Sequence, residues 1–246
     1  LARLCQDNDP QVAVQITRCL AKAIDYDLTK GHELAKLLMQ RNELMVRRAM
    51  ADVLTRLFRR LGDDALPFYY QLRDDSDSDI LAAVSTTSAD LRFLDVDMWA
   101  ENLVELSNHE LPVVRRNLVP SLREYFETFP DDTRKLLPVM WQDGDEVVRT
   151  RMRELLIKMS DISSTQFGAR ITDLNQHGCD LSALWRLMDA RRKGSSEAWK
   201  SWLSGEGEMP ETIETMRHVS TMQAPEELPD LSEALETLDE ELGFLD

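Results

Sequence analysis

Aliphatic side chains return in this chain every 34 positions, and that interval constrains the fold more than any other feature. Val12, Val46, Ile80, Val114 and Val148 each lie 34 residues after the last. Eight residues before them stand Leu4, Leu38, Leu72, Leu106 and Met140. Four residues after them stand Ile16, Met50, Val84, Leu118 and Met152, and eight after them Leu20, Leu54, Ser88, Leu122 and Leu156. Only Ser88 is polar, and no copy carries an insertion. A fixed period of this length marks an array of supersecondary units.

Positions four apart stack on one face of an α-helix. Each anchor therefore begins the buried stripe of a second helix, and the column before it belongs to a first helix. The spacing predicts first and second helices over 29–40 and 43–61 in the second copy, and over 97–107 and 111–129 in the fourth. Between them lie turns such as Gln6-Asp7-Asn8-Asp9-Pro10, Asp74-Asp75-Ser76-Asp77-Ser78 and Gln142-Asp143-Gly144-Asp145. Asp, Asn and Ser cap helix N-termini by accepting hydrogen bonds from free N–H groups. Pro10 and Pro112 fall near the first helical position, where a missing N–H is harmless. One such hairpin cannot bury its own apolar face, so neighbours must stack.

The segment Asp7-Asn8-Asp9-Pro10-Gln11-Val12 resembles the D-x-D-P-x-V(R) signature between the two helices of a HEAT repeat. Val46-Arg47, Val114-Arg115 and Val148-Arg149 supply the V-R pair in three other copies. The resemblance covers residues 1–160 and implies a ladder between the turn acids and these arginines, with Asp143 and Arg149 the best-matched pair. Ala13 and Leu81 interrupt the ladder in the first and third copies, and Arg41 stands where the second copy should have its turn acid. The tetratricopeptide family shares the period, but its W-x2-L-G-x2-Y signature is absent. The expected fold is an all-α, right-handed α-solenoid of about five 34-residue HEAT-like hairpins with a degenerate C-terminal cap.

The cap is expected over 161–203, with helices at 164–176, 180–192 and 195–203. Ser204-Gly205-Glu206-Gly207-Glu208 reads as a linker into a tail over 204–246. Charge divides at the same place. The chain carries a formal charge of −16, and residues 204–246 hold 13 acids against the single base Arg217. Within the tail, Leu231, Leu235, Leu238 and Leu242 share one helical face and acids fill the others. Such an amphipathic helix suits docking in a groove of a partner, docking on the chain's own arginine-lined surface, or capping the helical stack. Anionic lipid heads would repel it.

No apolar run approaches the length that spans a bilayer. The chain opens on Leu1 in mid-pattern and reads as a piece of a longer protein. Cys5, Cys19 and Cys179 are few and widely spaced, which suits a reducing, cytoplasmic setting. His32, His109, His177 and His218 are scattered; His177-Gly178-Cys179 is too short for a metal site, which needs about four ligands. No Gly-rich phosphate loop or G-x-S-x-G turn is present. No cofactor, metal or catalytic residue is expected.

Arg47, Arg48, Arg115, Arg116, Arg149, Arg151 and Arg153 all fall early on second helices. Second helices line the concave surface of a HEAT array, so these arginines form a candidate stripe for phosphates or acidic peptides. The plainer reading spends one arginine of each pair on the ladder and leaves the other solvated. The expected function is a non-enzymatic protein-interaction scaffold or adaptor, an inference from fold to function. Nucleic-acid binding, including a resemblance to helical-repeat DNA glycosylases, is the second expectation. It draws on the arginines with Trp99 and Trp141, but the body at −4 (28 bases against 32 acids) is poorly suited to neutralising phosphates.

Overall fold

The computed structural model describes residues 1–192 and 195–211. Every regular element among them is helical. The helices are α1 (Ala2–Cys5), α2 (Pro10–Tyr26), α3 (Leu28–Met39), α4 (Leu44–Leu61), α5 (Leu66–Arg73), α6 (Ser78–Thr87) and α7 (Val96–Ser107). They continue as α8 (Pro112–Thr128), α9 (Pro130–Trp141), α10 (Glu146–Ile162), α11 (Ser164–Gln176), α12 (Ser182–Arg192) and α13 (Ser196–Leu203). The tail beyond residue 211, with Leu231, Leu235, Leu238 and Leu242, lies outside the described residues. No described helix is long and apolar enough to cross a membrane.

The sequence sets the helix starts through its turn acids. Asp9 accepts from the Gln11 N–H, Asp77 from those of Asp79 and Ile80, and Asp145 from those of Val147 and Val148. Pro10 and Pro112 open α2 and α8. The periodic columns are buried in the middle copies: Leu38, Val46, Met50, Leu54, Ile80, Leu118, Met140, Val148 and Met152 are all fully enclosed. The first copy differs. Leu4 is 42% exposed, and Val12 and Ile16 are half-buried, because no described helix covers that side of α1 and α2.

Even-numbered helices pack in succession, α2 on α4, α4 on α6, α6 on α8, α8 on α10 and α10 on α12. Odd-numbered helices meet one another closely only at the two ends, α1 with α3, α9 with α11 and α11 with α13. Each odd helix from α3 to α9 lies against the even helix that follows it.

The third copy is the least regular. Gly62, at φ 56°, ends α4, and a 3-10 turn over Gly62–Ala65 leads into the short α5. Helix α6 stops at Thr87 and a 3-10 segment, Ser88–Phe93, replaces its last turns. The cause is local. Ser85 and Thr86 turn their hydroxyls onto the Ala82 carbonyl, Thr87 onto that of Ala83 and Ser88 onto that of Ser85. Such back-bonding competes with helix propagation. It also hides the polar side chain at position 88, which is fully buried where other copies place an aliphatic residue.

Past residue 160 the period is lost but packing continues. Trp199 meets the Phe167 ring edge-on at 4.7 Å, and Trp202 lies over Gly168. Arg170 and Asp173, both buried, pair at 3.4 Å, and Arg170 also donates to the Phe126 carbonyl on α8. The segment after α13 does not simply leave the body: Met209 reaches back to the same Gly168 surface.

Helices α2 and α3 cross at a glycine. A Cβ on Gly31 would lie 2.5 Å from the Ile24 Cα, a main-chain atom that has no rotamer to change. Gly31→Ala is therefore expected to destabilise the fold by about 1–2 kcal/mol, since overpacking outweighs the gain in helix propensity. Gly144→Ala, where no atom lies within 4 Å of the new Cβ, serves as the neutral control. Urea denaturation of both variants checks this, and an unchanged midpoint for Gly31→Ala would contradict the close crossing.

Candidate interaction surface

The arginines of the V-R positions in copies two and four are spent on joining hairpins, both members of each pair. Arg47 meets Asp75 at 2.7 Å and Arg48 meets Asp77 through two bonds of 3.0 and 2.8 Å. Two copies later the geometry repeats. Arg115 grips Asp143 through bonds of 2.7 and 2.9 Å, and Arg116 holds Asp145 in the same two-pronged manner. The fork of a guanidinium matches a carboxylate in this way, and charge-assisted bonds are the stronger kind. Each clasp joins a second helix to the turn of the next copy.

The clasp alternates. Copies two and four carry the arginines, and copies three and five carry the acids. In the turn column Asp7, Arg41, Asp75, His109 and Asp143, acids hold the odd places and nitrogen bases the even ones. Arg41 reaches back to the carbonyls of Cys5 and Asp7, at 2.8 and 2.9 Å. It also draws the Glu43 carboxyl down to about 2. His109 accepts from the Leu111 N–H at 3.1 Å, doing the work of a capping carboxylate. Copy four is tied to copy three by other bonds, with Asn117 donating to the Ala82 carbonyl at 3.0 Å, Arg73 meeting Glu105 at 2.8 Å and Arg92 pairing with Glu124.

The expected partnership of Asp143 with Arg149 differs in detail. The Asp143 carboxylate is taken by Arg115, and Arg149 bonds the Asp143 main-chain carbonyl. An acid stands 28 residues after Arg47 and again 28 after Arg115, at Asp75 and Asp143, but the same step from Arg149 arrives at His177. Arg149 turns to Glu146, which Arg153 also meets, at 3.1 Å. Arg151 donates to the Arg116 carbonyl at 2.7 Å. That carbonyl sits four residues before Pro120, inside α8, which has no N–H to offer it. Arg151 thus fills a gap left by a proline in the neighbouring helix.

A different set of cations is left unpaired. Arg18 and Lys22 on α2, and Arg56 and Arg59 on α4, are exposed and make no ion pair among the described residues. Arg18 and Arg56 face each other across a groove of about 410 Å³ whose walls include Val14, Met45, Val53, Arg48 and Asp52. Met45 is 38% exposed there. The signal for Arg18, Lys22 and Arg56 was in the columns six and ten positions after the anchors, which read Arg18, Asp52, Thr86, Pro120, Glu154 and Lys22, Arg56, Asp90, Glu124, Lys158. Neither column repeats one chemistry, so a search for recurring arginines passes over them.

No group of three or more His, Cys, Asp or Glu side chains converges on a metal-sized site among the described residues. His177 bonds the Asp173 carbonyl at 2.7 Å, while Cys179 is buried and accepts from Gln142, so the two do not act together. His32 packs edge-on against Phe68. No family model matches the chain, and no curated protein is significantly similar to it in sequence.

The clasps make stability depend on pH. Arg48 holds the Asp77 carboxyl below its ordinary value, and Arg116 holds that of Asp145 well below. Burial alone would raise Asp143, but the bonds from Arg115 and from the Asp145 N–H outweigh it and the net shift is downward. A carboxyl lowered in the folded state stabilises fully above its unfolded value, about 4, and that contribution is lost as pH falls through the folded value. Arg115→Ala leaves the nearly buried Asp143 carboxylate without its partner, at a cost of about 2–4 kcal/mol near pH 7. The gap between variant and parent should narrow toward pH 2; chemical denaturation at both pH values measures it, and an equal gap at both would mean that the pair does not form.

Proposed function

We propose that this chain is a non-catalytic binding module, a HEAT-like α-solenoid that serves as a scaffold or adaptor for a partner protein. The packing supports this reading. Even-numbered helices touch in unbroken succession while most odd-numbered ones spread apart, as on the inner and outer walls of a curved array. Repeat arrays of this kind present long inner surfaces suited to extended partners. All three cysteines are free, which fits a reducing cytoplasmic setting.

The observation that carries the proposal is the α2–α4 groove. It combines exposed apolar surface at Met45 with Arg18 and Arg56, which make no ion pair among the described residues and outnumber the one groove carboxylate, Asp52, and Lys22 and Arg59 extend the positive field along the same helices. An acidic amphipathic segment meets both demands, its leucines on the apolar wall and its carboxylates on the arginines. The chain's own tail has that composition, with Leu231, Leu235, Leu238 and Leu242 among acids. The tail therefore acts as an internal competitor for the acidic segment of a partner. The clasp arginines Arg47, Arg115 and Arg116, with Arg149, Arg151 and Arg153, act on this function through the shape of the wall.

A labelled peptide of residues 228–245, added to the full chain, tests this. It is expected to bind, to weaken steeply with salt, and to lose at least tenfold in affinity when Arg18→Glu and Arg56→Glu are combined. Binding unaffected by the double charge reversal would remove the groove as the site.

A further inference from the structure

A second groove, on other helices and of opposite charge, lies between α7 and α9. It encloses about 640 Å³ above α8 and is lined by Ala100, Glu101, Val104, Tyr125, Leu136 and Val139, with Glu105, Asp132 and Lys135 at its rim. The volume falls in the range of pockets that hold a bulky side chain or small ligand. Val104 and Val139 are 41% and 53% exposed, so its apolar walls are in water.

Two further observations set this groove apart from an ordinary gap between helices. Tyr125 in its lining is only 1% exposed, so the phenol forms a closed floor whose little remaining surface opens on the groove. Trp99 and Phe129 hold the ring in place, with centroids 6.1 and 5.3 Å away. Burial pushes the phenol up from its ordinary value and the Asp132 charge adds to this, so the hydroxyl remains a neutral donor near pH 7.

The second observation is charge. Helix α7 carries Asp97, Glu101 and Glu105 at successive four-residue steps and no lysine or arginine. At a rise of 1.5 Å per residue, that ridge runs about 12 Å beside the groove. Glu105 is held by Arg73 at 2.8 Å and Asp132 by Lys135 at 3.5 Å, but Asp97 and Glu101 meet no cation among the described residues. With 13 acids over residues 204–246, the chain's own tail is repelled from this wall.

We infer that the α7–α9 groove is a docking site for a basic amphipathic peptide of a partner protein, one that seats a bulky apolar side chain over Tyr125 and sets lysines or arginines against Glu101 and Asp97. The length of the acidic ridge favours a peptide with repeated cations over a small ligand with one. The apolar walls supply affinity, and the ridge supplies orientation and discrimination against acidic segments.

The test uses the full chain and an 18-residue Leu/Lys amphipathic helical peptide, with its Leu/Glu counterpart and phenyltrimethylammonium as comparison probes. Binding of the Leu/Lys peptide is read by fluorescence polarisation, and its position by photo-crosslinking from one leucine site. The expected result is a crosslink to α7 or α9, with affinity at least tenfold lower for Val139→Arg and threefold to tenfold lower for Glu101→Lys. Both substitutions are at exposed positions and spare the core. The control Glu33→Lys, elsewhere on the surface, should leave affinity within twofold, and the Leu/Glu peptide should not crosslink to α7 or α9. Loss of equal size in the control, Leu/Lys crosslinks elsewhere, or no binding at all overturns the proposal. Phenyltrimethylammonium binding as tightly as the peptide also overturns it, in favour of a small-ligand pocket. None of these outcomes bears on the α2–α4 groove, whose test uses a different probe and different substitutions.

Discussion

Contact between each even-numbered helix and the next is the constraint on which the remaining structure depends. Val46, Ile80, Val114 and Val148 are enclosed because a neighbouring hairpin lies over them, not because their own hairpin folds around them. The same geometry brings each turn within reach of the helix two elements earlier. Arg47, Arg48, Arg115 and Arg116 then find carboxylates at a distance fixed by packing alone. The clasps follow from the stacking, and their removal should weaken the junctions without erasing the helices.

The consequences for binding follow from the same economy of charge. Arginines that serve the junctions have carboxylates in front of them and present little free charge to a partner. Cations left without an ion pair among the described residues gather on α2 and α4, where they outnumber the one groove acid Asp52, and anions on α7, where Asp97 and Glu101 meet no cation among the described residues. A chain with a formal charge of −16 thus carries two local fields of opposite sign on different helices. Specific recognition depends on such local fields more than on the net charge.

Much of the fold was legible in the sequence because one periodic requirement, burial of a stripe every 34 residues, determines the helices and their caps together. The second-copy helices, read as 29–40 and 43–61, are Leu28–Met39 and Leu44–Leu61. The break in α6 was less legible, since it depends on four successive hydroxyls choosing local carbonyls over helix continuation. Partner choice for the arginines was harder to read: Arg115 and Arg149 hold the same place in their copies, and what separates them is the residue 28 places on, Asp143 for one and His177 for the other. The α7–α9 groove was hidden for a similar reason. Nothing local to Val104 or Val139 says that two first helices spread apart there and leave Tyr125 between them.

The alternation of the clasps has a consequence for how such an array grows. From the second copy to the fifth the clasps recur at every second junction, so their unit is two hairpins, twice the 34-residue geometric one. Duplication of the third hairpin alone would set Leu81 and Ala82, at the places of Arg47 and Arg48, against the copied Asp75 and Asp77, and that seam would have no clasp. Duplication of the second and third hairpins together would carry the Arg47–Asp75 and Arg48–Asp77 clasps into each new pair. Gene-level expansion or shortening of this chain is thereby steered toward even steps, and an engineer who wants a longer array should copy hairpins two at a time.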